Sequence, residues 1–455
     1  MENKIWLILL YLAICVTYNL GGEICSDNPK AYQNYLGTKT PYRFVGNNTF
    51  GRIEYPGCTT KKIWMIVRHG TRNPSHSFIE SMNNRLPQIR DLILKHNTIS
   101  SEVLHNSDLM AFQKWDAKLH KKDSKKLTHE GQNELINIAE RMQSRFPSLL
   151  SNIYSNTSYK FKFTDSQRTK KSAYYFAVGL FGKNTAKSVW YPEPSKKDPI
   201  LRFYKLCKKW RNDVKLNPES LSHRTAFGAS PLMTKIVTEI SDRLKLPKNS
   251  LTFDDAYTMY STCAFETAWK ANVKSPWCSA FTINDMKAFE YYEDLKYYWI
   301  DGYGYNLNHK QACVAFDDVV SFFNSKSSYP KATVYFTHSG TLLKVMSHFG
   351  LYKEDQPLTE NNFNDKVDNR TFRVSRIGSF ATNLALVLMD CEGTPKILAL
   401  HQERIVRLPS CPTSDLCGFN ETLRYYRGDT ATCEFEEICD NGTDETDEEN
   451  TDDSI

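Results

Sequence analysis

Arg68, His69, Gly70, Thr71 and Arg72 follow directly on the apolar run IWMIV in the segment IWMIVRHGTRNP (63–74). Far downstream, His338 closes a second apolar run in VYFTHSGTLL. Arg168 lies in FTDSQRTKKSA, just after the run YKFKF (159–163). Guanidiniums crowded around an imidazole in a partly dehydrated place repel one another, and a dianion relieves that repulsion. Arg suits a phosphoryl group because its planar fork donates paired hydrogen bonds and keeps its charge. A neutral imidazole nitrogen such as that of His69 can attack phosphorus in line, and water then hydrolyses the phosphohistidine. Arg68, Arg72, Arg168 and His338 would hold the transferring group by position and positive charge, which is most of what phosphoryl transfer demands. Thr71 joins Arg68, Arg72 and Arg168 as a substrate-binding candidate. Gly70 would let the backbone come close to the ligand, and a helix starting near Thr341 would offer amide donors.

Such a cluster needs strands whose carboxyl ends lie side by side, the place where open α/β sheets bind ligands. IWMIV, YKFKF and ATVYFTH (332–338) read as short buried strands, and FATNLALVLMDC and KILALHQERIV as two more. HEGQNELINIAERMQSRFP reads as a helix with Leu135, Ile138, Ala139, Met142 and Phe146 on one face, ended by Pro147. MTKIVTEISDRLKLP carries the stripe Met233, Ile236, Val237, Ile240 and Leu244, and Gly350 can end the helix TLLKVMSHFG. Residues 205–310 are rich in Trp and Tyr and read as mainly helical. The expected fold is α/β, a central mainly parallel sheet flanked by helices, with an inserted helical cap subdomain.

The 455 residues, 40% hydrophobic, suffice for one large domain or two moderate ones. Ile5 to Val16 is an apolar run of 12 residues, too short to span a bilayer and suited to a secretory signal over 1–22. No other long apolar segment occurs, so no membrane span is expected. The 12 cysteines include Cys15 in that segment and the close pairs Cys263/Cys278, Cys411/Cys417 and Cys433/Cys439. That usage fits an oxidising compartment, and none has the spacing of a zinc site. Sequons at Asn47, Asn156, Asn369, Asn420 and Asn441 are glycosylation candidates. The end DDSI is no retention signal, so the expected location is extracellular. Residues 434–455 hold 11 acidic and no basic residues and read as a disordered tail, leaving 58 Lys and Arg against 41 Asp and Glu over 1–433. A body that basic favours a polyanionic partner. No nucleic-acid motif is found, which favours a small polyphosphorylated molecule over nucleic acid.

VRHGTRNP, SQRTKKSAYYFAVGLFG and HSGTLL resemble the histidine acid phosphatase family. CAFETAW, KSPWCSAF, EYYEDLKYYWIDGYGYNLN and LYKEDQPLT look like its multiple inositol polyphosphate phosphatase branch, with matches from about residue 60 to about residue 400. The resemblance implies a phosphoglycerate mutase-like fold and a domain over 23–433. Its core would span about 40–200 and 311–410, and its cap about 205–310. It also implies no metal or other cofactor, and hydrolysis of phytate-like esters and of the 3-phosphate of bisphosphoglycerate. His69 becomes the phosphate acceptor, with Arg68, Arg72, Arg168 and His338 as the clamp.

One departure stands out. The branch usually follows its second His with Ala-Glu, and related acid phosphatases with Asp, to protonate the leaving alkoxide. Here Ser339 and Gly340 follow His338. Losing a general acid typically costs a factor of about a hundred to ten thousand. Three accounts stand. Another acid serves, from the helical cap or elsewhere, with Asp165 and Glu130 near motif segments in sequence. The substrate's own phosphates or water supply the proton. Or the chain binds phosphate esters with little or no turnover. The basic run Lys121, Lys122, Lys125 and Lys126 is either a solvated loop or the approach for a substrate with several phosphates.

Overall fold

The computed structural model describes residues 31–97, 104–117, 119–428 and 432–440. Strand β1 (Cys58–Arg68) is followed by helix α1 (His76–His96), helix α2 (His129–Arg145), strand β2 (Tyr159–Phe163) and helix α3 (Gln167–Ala186). A helical stretch follows with α4 (Pro231–Arg243), α5 (Phe253–Trp269), α6 (Ile283–Asp301) and α7 (Cys313–Asn324). Then come β3 (Ala332–Thr337), α8 (Ser339–His348), β4 (Asn383–Cys391), β5 (Thr394–His401), β6 (Arg404–Val406) and β7 (Leu416–Gly418).

The strands form one mixed sheet in the order β2-β3-β1-β4-β5-β6, with β7 also on β5. Its core, β2-β3-β1, is parallel, and β4 to β7 extend it by antiparallel pairs. Register sets the chemistry. Arg68 pairs with Thr337 across β1 and β3, and Phe163 pairs with Phe336 across β2 and β3. The residues after each strand, His69, His338 and Thr164, therefore emerge at one edge.

IWMIV is apolar throughout because both faces of the sheet are covered. Ile63, Met65 and Val67 pack with Leu135, Ile138, Met142 and Phe176 from α2 and α3. Trp64 and Ile66 face the opposite layer, which holds Met82, Met233, Met259 and Leu342. Helix α2 starts at Thr128, whose side chain accepts from the Gly131 amide, and buries its expected stripe. Capping boxes Thr252/Asp255 and Thr282/Asp285 start α5 and α6. The helical layer is larger than the expected cap. Helix α1, expected within the α/β core, docks on it through Arg85 to Asp255 at 2.7 Å and Asn97 Nδ2 to the Leu244 carbonyl at 2.8 Å.

The disulfides join Cys58–Cys391, Cys207–Cys439, Cys263–Cys278, Cys313–Cys433 and Cys411–Cys417. Cys433 and Cys439, close in sequence, do not pair with each other. A short helix over Phe435–Cys439 separates them, and each reaches a distant partner. The tail expected to be disordered from 434 is thus anchored as far as Cys439. Residues 441–455, the signal segment 1–22, Cys15, Cys25 and the sequon at Asn441 lie outside the described residues. Asn156, Asn369 and Asn420 are exposed, whereas the half-buried Asn47 amide donates to the Glu403 carbonyl at 3.3 Å. Among the described residues, no helix is long and apolar enough to cross a membrane.

Candidate active site

His69 sits just past β1, 3% exposed, and its ring lies 5.7 Å from that of His338, centroid to centroid. Its Nδ1 is 2.9 Å from the Gly70 carbonyl, which can only accept. Nδ1 therefore carries the proton, and Nε2 keeps a lone pair for attack. His338 caps α8. Its Nδ1 meets Arg168 Nη2 at 3.2 Å, and its Nε2 meets Arg202 Nη2 and Thr164 Oγ1, each at 3.0 Å. Arg168 is positioned by the first turn of α3, and Arg202 also donates to the Asp165 carbonyl at 3.3 Å. Arg68 is buried over the Phe380 ring at 4.6 Å and donates to the Thr38 carbonyl at 2.6 Å and to the Gly378 carbonyl. Arg72 Nη1 donates to the Asn73 carbonyl at 2.8 Å, and its backbone bridges Leu127.

The electrostatics show convergence as plainly as the distances. Burial, then the charges of Arg168, Arg68, Arg72 and His338, hold the His69 imidazole well below its ordinary value. Burial, then Arg168, Arg202, Arg72 and Arg68, does the same to His338. Both rings are thus held in their neutral form. Burial also pushes the Arg68 guanidinium down to about 10. A pocket so rich in donors and positive charge is suited to a phosphoryl dianion. Among the described residues, no group of three or more His, Cys, Asp or Glu side chains is arranged to hold a metal ion.

Two motif residues do something other than expected. Thr71 is fully buried and turned from the site, its amide and hydroxyl both donating to Glu134 at 2.7 and 2.9 Å. Glu134 also accepts from the Tyr42 amide at 2.9 Å, and burial pushes its carboxyl up to about 7 against those hydrogen bonds. Gly70 is needed for packing, since a Cβ there would lie 2.4 Å from the Gly131 carbonyl. Of the two carboxyls weighed as proton donors, Glu130 is paired with Arg43 at 2.6 Å. Asp165 is exposed and lines a surface groove of about 490 Å³ with Gln167, Lys170 and Trp190, a groove that includes neither histidine.

Sequence reasoning missed Arg202, which follows no strand and carries no periodic signal. It also missed a basic group on the helical layer. Lys296 on α6 is half-buried, and burial, then the charges of Arg224 and Lys215, push its ammonium down to about 7. Arg224 lies 4.1 Å over the Tyr292 ring, and Lys39 is paired with Glu293. The lysine run is held beside the motif, where Asn73 N donates to the Lys126 carbonyl at 2.9 Å and Lys125 N to that of Pro74 at 2.8 Å.

The profile of the histidine phosphatase superfamily (branch 2) matches residues 60–408. The chain is similar to multiple inositol polyphosphate phosphatase 1 of Drosophila melanogaster, 32% identical over 433 residues, covering 92% of this chain and 91% of that protein. It is similar also to multiple inositol polyphosphate phosphatase 1 of Homo sapiens, 30% identical over 439 residues, covering 89% and 88%. Among solved structures, the phytase from D. castellii shares the fold with a TM-score of 0.73 at 17% identity, over 91% of this chain and 90% of that one. The Bifidobacterium longum multiple inositol polyphosphate phosphatase in complex with inositol hexasulfate does so at 0.68 and 15%, over 89% and 99%.

Proposed function

Because this chain belongs to the histidine phosphatase superfamily, branch 2, and is therefore a phosphatase, we propose that it removes phosphate from inositol polyphosphates such as phytate through a phosphohistidine on His69. The observation that carries the proposal is the meeting of two neutral imidazoles with Arg68, Arg72, Arg168 and Arg202. His69 Nε2 attacks phosphorus while the arginines and His338 hold the equatorial oxygens, so the charge of the transition state meets fixed donors. Water then attacks the phosphohistidine and frees inorganic phosphate. Lys296, Arg224 and Lys215 hold the remaining phosphates of the ring, and bisphosphoglycerate is a second substrate. The five disulfides among the described residues support a place in the secretory pathway.

The test is phosphate release from phytate by the secreted chain. Release is expected to persist in EDTA and to fall at least about a thousandfold in His69→Ala. Release that EDTA abolishes, or that survives His69→Ala, would sink the reading. Phytate binding without release would make the chain the phosphate-ester binding protein that Ser339 and Gly340 leave open.

A further inference from the structure

The space that a side chain at residue 340 would enter is taken by a carboxyl from another element. A Cβ built on Gly340 would lie 2.9 Å from Asp301 Oδ1, 3.3 Å from Asp301 Cγ and 3.5 Å from Asp301 Oδ2, its three nearest atoms. The direction a side chain at 340 would take thus ends in the carboxyl of Asp301. Gly340 stands two residues beyond His338, in the first turn of α8.

The rest of α6 shows that this face looks toward the catalytic cluster. Glu293, Tyr297 and Asp301 are four residues apart and share one helix face. Glu293 Oε2 accepts from the Thr38 amide at 3.1 Å, and the Tyr297 hydroxyl lies 3.4 Å from Thr38 Oγ1. The Thr38 carbonyl in turn accepts from Arg68 at 2.6 Å. Arg68 also feels the charge of Glu293. Asp301 comes next on that face, beside His338's own helix. It is paired with Lys344, fully buried on α8, and its charge reaches Lys296.

We propose that Asp301 is the proton donor to the leaving oxygen, taking the part that a carboxyl on residue 340 would play. This rests on the phosphatase reading. In the first half-reaction, the His69 Nε2 lone pair forms the N–P bond. The P–O bond to the alcohol breaks with its electron pair on oxygen, and the carboxyl proton of Asp301 goes to that oxygen. In the second, the Asp301 carboxylate takes a proton from water as the water oxygen bonds to phosphorus. The P–N bond breaks and its electrons return to His69.

The test compares leaving groups. An alkoxide needs a proton as it departs, while a nitrophenolate does not. In Asp301→Asn, kcat/KM for phytate is expected to fall at least about a hundredfold and kcat/KM for p-nitrophenyl phosphate less than about tenfold, since kcat/KM reports the step in which the alcohol leaves and not the later hydrolysis common to both esters. Asp301→Asn also leaves the Lys344 ammonium with a weaker partner, so a second variant guards against simple misfolding. Asp301→Ala combined with Gly340→Glu returns a carboxyl to the same space, one helical turn before Lys344. It is expected to recover at least about tenfold of the phytate rate relative to Asp301→Ala alone. Equal losses on both esters would mark Asp301 as structural and overturn the proposal, as would undiminished phytate turnover. A wild-type chain that released phosphate from neither ester would instead overturn the phosphatase reading itself.

Discussion

At the scale of single residues, the proposed attack needs a neutral imidazole, and burial and the guanidiniums favour that form of His69 and His338. The sign follows from the causes. Burial and the surrounding guanidiniums disfavour the protonated ring, so His69 gains its proton only well below its ordinary value. The acid limb of kcat/KM should therefore lie below pH 6.5. Arg168 is the first charge, after burial, that holds His69 down. In Arg168→Met, the acid limb should move toward neutral pH, and kcat/KM should fall about a hundredfold or more. Paired pH profiles of the two proteins on one ester check this, because the substrate's own titration is common to both. A limb that stays in place would remove Arg168 from the neighbourhood of His69. Arg68, His69, Arg168 and His338 were legible because each ends or closely follows a segment that reads as a strand. Arg202 and Asp301 were not, since a loop residue and the last residue of a helix acquire meaning only from what another segment brings beside them.

At the scale of elements, the catalytic loop is seated by helix packing rather than by its own turn. Gly70 and Gly131 lie against each other's backbones, and a Cβ on Gly131 would come 2.2 Å from the Thr71 carbonyl. Neither glycine has a positive φ, so each is there for want of a side chain. Glu134, one turn further along α2, then fixes Thr71 by two hydrogen bonds. Gly131→Ala must push α2 away from the loop, so a stability loss of about 1–3 kcal/mol is expected, together with reduced phytate turnover. Thermal melting and steady-state kinetics on the same preparation check both, and an unchanged midpoint would refute the seating. The stripe of α2 was readable from its period. The use of Gly70 was not, because a glycine in sequence does not say whether a ligand or a helix comes close. The helical layer was read from its aromatic content at 205–310, which gives no hint that α1 joins it across the chain.

At the scale of the whole molecule, a parallel core brings three strand ends together, and the rest of the fold closes over them. The alternation of buried strands with amphipathic helices made that architecture legible. Of the covalent frame, the local disulfides Cys263–Cys278 and Cys411–Cys417 were legible as close pairs, and the long-range ones were not. Cys58–Cys391 and Cys207–Cys439 join residues 333 and 232 apart, and only the folded chain brings such partners within bonding distance. The same closure sets Lys296, Arg224 and Lys215 of the helical layer near one another on a strongly basic body, a surface suited to a substrate with several phosphates.

The central claim is that His69 carries the phosphate during turnover. Rapid mixing with radiolabelled phytate, an alkaline quench to preserve phosphohistidine, and peptide mapping test it directly. The account predicts label on His69, in the peptide spanning 63–74, formed and lost at rates compatible with steady-state turnover. Phosphate release with no label on His69, or with label on any other residue, would contradict it.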